Sequence, residues 1–387
     1  MRVWHFTEMP YPNLPDPKDY ESVRITLPNQ VYDPRVGAEL YNRYLDEWML
    51  ADELGMDIMT NEHHQTPTCL DAACPLTLAI LARQTKNARL LALGNPIANR
   101  RDPVRLAEEM AMVDVISRGR LECGFVRGVP TEILPANSNP VRMGERMWEA
   151  HDLILKAWTT HDGPFHWEGK FFNYRYVNIW PRPYQQPHPP VWITTSTPDS
   201  VNRIAEHGYV MATFLTGHAD AKVLYDSYRA HYTPNANGSG NGGAAPANRF
   251  AYLALTSVGE TDELGLQGVR KIMWYLHTNK IAPHFRNPPG YASIAASVRV
   301  MRGGQVRARV PVNEASAEEL IDRGVVFAGN PDSVYEQIKR FSEHVGGLGN
   351  LLIMGQGGAL SHEETVSNLT LFAKEVYPRL KELPGTV

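Results

Sequence analysis

Residues 48–65 read Trp-Met-Leu-Ala-Asp-Glu-Leu-Gly-Met-Asp-Ile-Met-Thr-Asn-Glu-His-His-Gln. Three patterns succeed one another in this stretch. Its first residues continue a helical spacing in which Leu40, Tyr44, Trp48, Ala51 and Leu54 share one face of a segment spanning 36–54. Gly55 ends that helix, because helices often close on left-handed backbone and glycine reaches it without a Cβ clash. Residues 56–60 then read as a buried strand, and Asn61, Glu62, His63 and His64 follow as a polar tail. Helix, glycine, short apolar strand and polar loop are the unit from which parallel α/β folds are built.

The same unit recurs in both directions along the chain. Strands are expected at 2–6, 56–60, 89–93, 121–126, 191–195, 209–214, 250–257 and 350–354. Helical spacing fills most of the intervals, as at 72–84, 143–158 and 330–344. Between strands three and four, Asp102-Pro103 opens a helix with an N-cap acid and a proline at the first helical position. Eight strands followed by helical sequence are the signature of a (β/α)8 TIM barrel, in the α/β class, with loop insertions. An open, doubly wound sheet is the alternative. The chain reads as one domain over 1–387, with insertions near 10–35, 165–190 and 233–320. The second insertion contains a hairpin turning at Gly169-Lys170 and a proline-rich connector. The third begins in a flexible Gly/Asn/Ala/Pro stretch, and its part from 272 to 320 has no clear period.

Bulk properties narrow the function classes. The 387 residues are 43% apolar and 21% charged, as in globular proteins with a sizeable core. A formal net charge of −4 and the lack of any basic block argue against a nucleic-acid surface. No apolar run approaches the roughly 20 residues needed to cross a bilayer. The N-terminal residues do not resemble a signal peptide. Cys69, Cys74 and Cys123, an odd set without CxxC spacing, read as reduced and buried, so a cytoplasmic location is expected.

In a barrel, active sites form at the C-terminal ends of the strands. Glu62, His63 and His64 follow strand two, Asn95 and Pro96 follow strand three, and Arg127 follows strand four. Ser196 and Thr197 follow strand five. For Glu62-His63-His64, three readings compete: a metal site, a catalytic acid–base, and an ordinary polar turn. Adjacent histidines on extended backbone point in opposite directions, which disfavours zinc and suits one imidazole in the mouth beside one in packing. Thr197 is placed as N-cap and Pro198 as the first residue of the next helix. The hydroxyls of Ser196, Thr197 and Ser200, beside free N–H groups, would form a phosphate cradle that Arg127 completes. A plain capped helix is the simpler alternative. Gly238–Gly243 matches GxGxxG, but no strand precedes it and no helix follows, so it reads as a linker. Phe6, Phe125 and Phe214, with Trp4, are candidates to line an apolar, substrate-binding mouth.

Five blocks carry a resemblance. Residues 48–57 with Glu62-His63-His64, the Leu93-Gly94-Asn95-Pro96 run, residues 103–109, residues 112–121, and Gly124–Gly128 resemble the bacterial luciferase-like flavin monooxygenases in order and spacing. The resemblance implies an elaborated TIM barrel and reduced FMN (FMNH2) as cofactor. By position it implies His63 as the active-site histidine with Glu62 beside it, and Arg127, Ser196, Thr197 and Ser200 around the FMN phosphate. It also puts a strained, often cis, peptide within Asn95-Pro96-Ile97 under the flavin ring. The implied reaction uses O2 through a flavin C4a-hydroperoxide to oxygenate an apolar organic substrate. A separate flavin reductase would supply the reduced flavin, and the protein would be a homodimer. An F420-dependent hydride-transfer oxidoreductase and a catalytically silent flavin-binding subunit are the alternatives. No metal, nucleic-acid or membrane partner is expected.

Overall fold

The computed structural model describes residues 1–196, 198–233, 244–279, 281–292, 298 and 311–383 of the 387 in the chain. Thr197 and the glycine-rich stretch at 234–243 therefore lie outside the described residues.

Strands β1 (Arg2–Phe6), β2 (Asp57–Thr60), β3 (Leu90–Pro96), β4 (Leu121–Val126), β7 (Val191–Thr194), β8 (Val210–Phe214), β9 (Phe250–Val258) and β11 (Asn350–Met354) pair in parallel in that order. Pairing of β8 with β9 and of β11 with β1 closes the ring, giving the (β/α)8 TIM barrel expected from sequence. Two further strands, β5 (Phe165–Glu168) and β6 (Asn173–Val177), form the antiparallel hairpin read from the second insertion. One strand was not foreseen. β10 (Val326–Gly329) pairs with residues 255–258, beyond the point where β8 leaves β9. An edge left open by a shorter neighbour needs a hydrogen-bonding partner, and β10 supplies it.

Alternation along the strands separates two cores. Trp4, Phe6, Met59, Leu91, Leu93 and Trp192 point inward, where Trp4 meets Trp192 edge to face with ring centroids 5.2 Å apart. Val3, Ile58, Leu90, Ala92, Cys123 and Phe125 point outward and pack under the helices. The helix before β2, α1 (Pro34–Glu53), buries Leu40, Tyr44, Trp48 and Ala51, the face anticipated from their spacing. It ends as the glycine predicts. Gly55 has φ of +76°, its N–H donates to Asp52 O at 3.0 Å, and the Met56 N–H donates to Ala51 O at 2.9 Å. Those two bonds satisfy carbonyls that the helix end would otherwise leave unpaired, and they aim the chain into β2.

Helix α2 (Cys74–Gln84) follows β2, and α3 (Pro103–Ser117) follows β3. Asp102 caps α3 by accepting from the Arg105 N–H at 3.0 Å. Helix α4 (Met143–Thr159) carries the hairpin of the second insertion on Glu149, whose carboxylate accepts the N–H groups of Lys170, Phe171 and Phe172. The three cysteines are free and buried. Among the described residues, no helix is long and apolar enough to cross a membrane.

Candidate active site

A cavity of about 550 Å3 opens at the C-terminal ends of the barrel strands. That volume lies in the range of pockets that hold a cofactor or a small organic molecule. Its walls come from many parts of the chain: Phe6 from β1 and Glu8 after it, His63 after β2, Pro96 from β3, Arg127 after β4, Ser196 after β7 and Phe214 from β8. The first insertion adds Arg24, and the third adds Tyr275, Asn279, Ile281 and Tyr291. The hairpin insertion adds nothing to the wall.

Of the residues singled out from sequence, Phe6, Glu62, His63, Pro96, Arg127, Ser196, Ser200 and Phe214 line this cavity. Trp4, Phe125 and Asn95 do not. Phe125 is fully buried outside the sheet and stacks on Trp158, ring centroids 6.1 Å apart. The reason is pleat parity: Val126 takes the inward position, so its neighbour must face the helices. Asn95 is likewise outward. Its carboxamide donates to Gly124 O at 3.3 Å and accepts from the Cys74 thiol at 3.3 Å, tying β3 to β4 and α2. The non-proline cis peptide in this stretch is Leu93–Gly94, just before the expected Asn95-Pro96-Ile97.

The two histidines also differ from expectation. They do not diverge, because β2 stops at Thr60 and the alternation stops with it. Both rings turn toward one carboxylate: His63 Nδ1 lies 3.0 Å from Glu132 Oε1, and His64 Nδ1 lies 3.0 Å from Glu132 Oε2. Glu132 is 2% exposed. Burial pushes its carboxyl up, but hydrogen bonds from His63 and His64 more than reverse this and hold it down at about 2. His64 Nε2 lies 3.2 Å from Glu62 Oε1. Hydrogen bonding to Glu132 and then to Glu62 raises the His64 imidazole to about 9, against partial burial. Glu62 itself accepts from Arg100 Nη2 at 2.7 Å and from the Cys74 N–H at 3.2 Å. Its oxygens are thus committed to an ion pair and to a helix N-terminus.

His63 is left with Nε2 toward the cavity, 3.7 Å from Glu8 Oε2. Glu8 in turn accepts from Asn61 Nδ2 at 2.8 Å and from the Tyr275 hydroxyl at 2.7 Å. Sequence reasoning missed Glu8, Glu132, Arg24 and Tyr275. Glu8 was within reach of the strand-end rule, since it stands two residues after β1. Glu132 sits in a short 3-10 turn with no periodicity, and Arg24 and Tyr275 belong to insertions, so nothing local marks them. Arg127 carries its guanidinium over the Tyr291 ring, 4.0 Å from the centroid, and the Tyr291 hydroxyl donates to Gly128 O at 2.8 Å. Around Ser196 the expected helix starts with a 3-10 turn at Pro198–Ser200 before α5 (Val201–Glu206). No group of His, Cys, Asp and Glu among the described residues is arranged to hold a metal ion.

The family model of the luciferase-like monooxygenases matches residues 24–347. The oxygenase component of a flavin-dependent trigonelline monooxygenase from Acinetobacter baylyi is 32% identical over 183 residues, 46% of this chain and 50% of that protein. The chain thus spans about half the length of the first curated relatives it matches. A 2,5-diketocamphane 1,2-monooxygenase of Pseudomonas putida is 22% identical over 375 residues, 90% of this chain and 96% of that protein. Two solved structures share the fold. The oxygenating constituent of the P. putida 3,6-diketocamphane monooxygenase, in complex with FMN, superposes with a TM-score of 0.70 at 21% identity, over 88% of this chain and 93% of that one. The F420-dependent tetrahydromethanopterin reductase of Methanopyrus kandleri superposes with a TM-score of 0.63 at 16% identity, over 92% and 99%.

Proposed function

The chain belongs to the luciferase-like monooxygenase family, and on that premise we propose that it is the oxygenase component of a two-component flavin system, using reduced FMN and O2 to oxygenate a small organic substrate. The observation that carries this reading is the polarity of a single cavity. A guanidinium and two hydroxyls, from Arg127, Ser196 and Ser200, line it after β4 and β7, and an imidazole, from His63, lines it after β2.

The donor set suits FMN. A planar guanidinium fork with neighbouring hydroxyls matches the geometry and charge of a phosphate. The apolar side chains of Phe6, Leu93, Phe214, Leu253 and Met354 offer a dry surface to a flat ring. Gly144, in the first turn of α4, lines the same cavity with open space where a Cβ would stand, so a bulky group has room there. Bound reduced FMN supplies the electrons with which O2 is activated.

His63 works through Nε2. The Glu132 carboxylate accepts from Nδ1–H and so fixes the tautomer, leaving Nε2 as the ring nitrogen that takes or returns a proton at the reacting centre. Glu132 is a positioning residue, and His64, Glu62 and Arg100 hold it in place by a chain of charged hydrogen bonds. The insertions carrying Arg24, Tyr275 and Tyr291 line the mouth, where they would limit the access of bulk water to the centre.

The test is a titration of purified protein with FMN and with F420 side by side. Oxygen uptake is then measured with a flavin reductase, NADH and air. FMN should bind, and Arg127→Ala should weaken it by about tenfold or more, a loss of one strong charged contact. His63→Ala should keep FMN affinity and lower substrate-dependent oxygenation about 10²- to 10⁴-fold. Binding of F420 in preference to FMN would replace this reading with hydride transfer, the chemistry named for the M. kandleri structure.

A further inference from the structure

Arg24 is a buried cation in the cavity wall with no carboxylate ion pair among the described residues. It is 6% exposed, and among the described residues its direct polar partner is the neutral amide oxygen of Asn279, reached from Nη1. Glu8, in the same wall, spends its oxygens on Tyr275 and Asn61 and makes no ion pair with it. A guanidinium keeps its charge in any protein setting, and a buried charge is costly unless a counter-charge meets it.

The chain invests structure in holding the group there. Arg24 stands in the middle of a turn whose ends lock together. The Thr26 N–H and hydroxyl both donate to Ser22 O, at 2.8 and 2.9 Å, and the Ser22 N–H donates to Thr26 Oγ1 at 3.3 Å. Val23, its neighbour, is 1% exposed and anchors the turn in the core. The side chain therefore enters the cavity from a fixed base. Asn279 orients one edge of the guanidinium of this cavity-lining residue.

We propose that Arg24 is the recognition point for a carboxylate on the substrate, so that the enzyme acts on a small organic acid with an apolar body. The inference rests on the flavin reading above and deepens it. Two observations favour a substrate group over the flavin phosphate. Arg24 bonds Asn279, whose amide donates to Tyr275 O, and the Tyr275 hydroxyl donates to Glu8, 3.7 Å from His63 Nε2 at the reacting end of the cavity. The phosphate donors Arg127, Ser196 and Ser200 follow β4 and β7, on other strands of the ring. An arginine's two parallel N–H bonds fit a planar carboxylate as they fit a phosphate, so it is the placement of Arg24 that separates the two. The apolar residues Phe6, Phe214 and Leu253 then face the body of the acid.

The experiment titrates FMN-loaded and FMN-free protein with benzoate, phenylacetate, nicotinate and octanoate, each beside its uncharged primary amide, by calorimetry. The same titrations are run on Arg24→Gln and Arg24→Lys, with circular dichroism and FMN affinity measured for each variant. At least one carboxylate should bind ten times or more tighter than its amide. Arg24→Gln should remove that preference, Arg24→Lys should keep part of it, and FMN affinity should stay within twofold. Equal binding of acid and amide, a preference that survives Arg24→Gln, or no binding of any of the four acids would overturn the proposal. So would a tenfold loss of FMN affinity in Arg24→Gln, which would assign Arg24 to the cofactor. Failure of the wild-type protein to bind FMN is a separate result and strikes the flavin reading alone.

Discussion

Glu132 accepts from two imidazoles at once, and the charge balance of the site follows from that single carboxylate. The histidine beside the catalytic candidate is the one whose protonation the fold holds most strongly. His64 is raised from 6.5 to about 9 in the folded chain, so folding binds its proton more tightly than the unfolded chain does. Its contribution to stability is complete below pH 6.5 and is lost as pH climbs through 9. Glu132 is the opposite case. Held down from 4.5 to about 2, it contributes above pH 4.5 and loses that contribution as pH falls toward 2. The denaturant midpoint of the wild-type protein should therefore fall between pH 6.5 and 9 by more than that of His64→Gln. Parallel curves for the two proteins over that window would show that the cluster stores no such coupling.

At the scale of elements, caps and parity do most of the positioning. Asp102 Oδ1 accepts from the Arg105 N–H at 3.0 Å and from the Tyr174 hydroxyl at 2.8 Å, so one oxygen starts α3 and ties the hairpin insertion to it. Asp102→Ala should destabilise the protein by about 1 kcal/mol in urea titration, the usual cost of an N-cap. Tyr174→Phe should cost less, since it leaves the cap in place. An alanine variant as stable as wild type would mean that the fold sets the start of α3 without this cap. Strand parity explains both the success and the failure of the site residues read from sequence. Phe6 and Phe214 point inward, whereas Phe125, also at a strand end, points outward because Val126 holds the inward place. The residue types at 125 and 126 are both apolar, so nothing in them announces which faces the mouth.

For the whole molecule, the adjacent helices α2 and α3 present an apolar face. Leu76 is 69% exposed, and Ile80, Met112, Val115 and Ile116 are each at least 40% exposed, at spacings that place them together on each helix. Such an exposed apolar face favours contact with a second copy. We propose a homodimer through it. Light scattering on a sizing column should give twice the 43.4 kDa chain mass, and Leu76→Glu with Ile116→Glu should give the single chain. A wild-type protein that elutes as a monomer at micromolar concentration would remove this proposal.

The order of helices and strands was written in local sequence, because period, glycine stops and proline starts act over a few residues. The run from Trp48 to Gln65 shows this: its helix, its left-handed glycine and its strand follow one another as their spacing requires. The barrel's eight strands and the nearness of His63 and Arg127 to one mouth were legible for the same reason. Tertiary structure alone decided the partners. Glu132, Arg24 and Tyr275 reach the cavity from segments without periodicity, and β10 exists to pair an edge left bare by a distant strand. A hydrogen bond between residues 69 positions apart, such as His63 to Glu132, leaves no trace in either local stretch, because its energy depends on where the rest of the chain carries both ends.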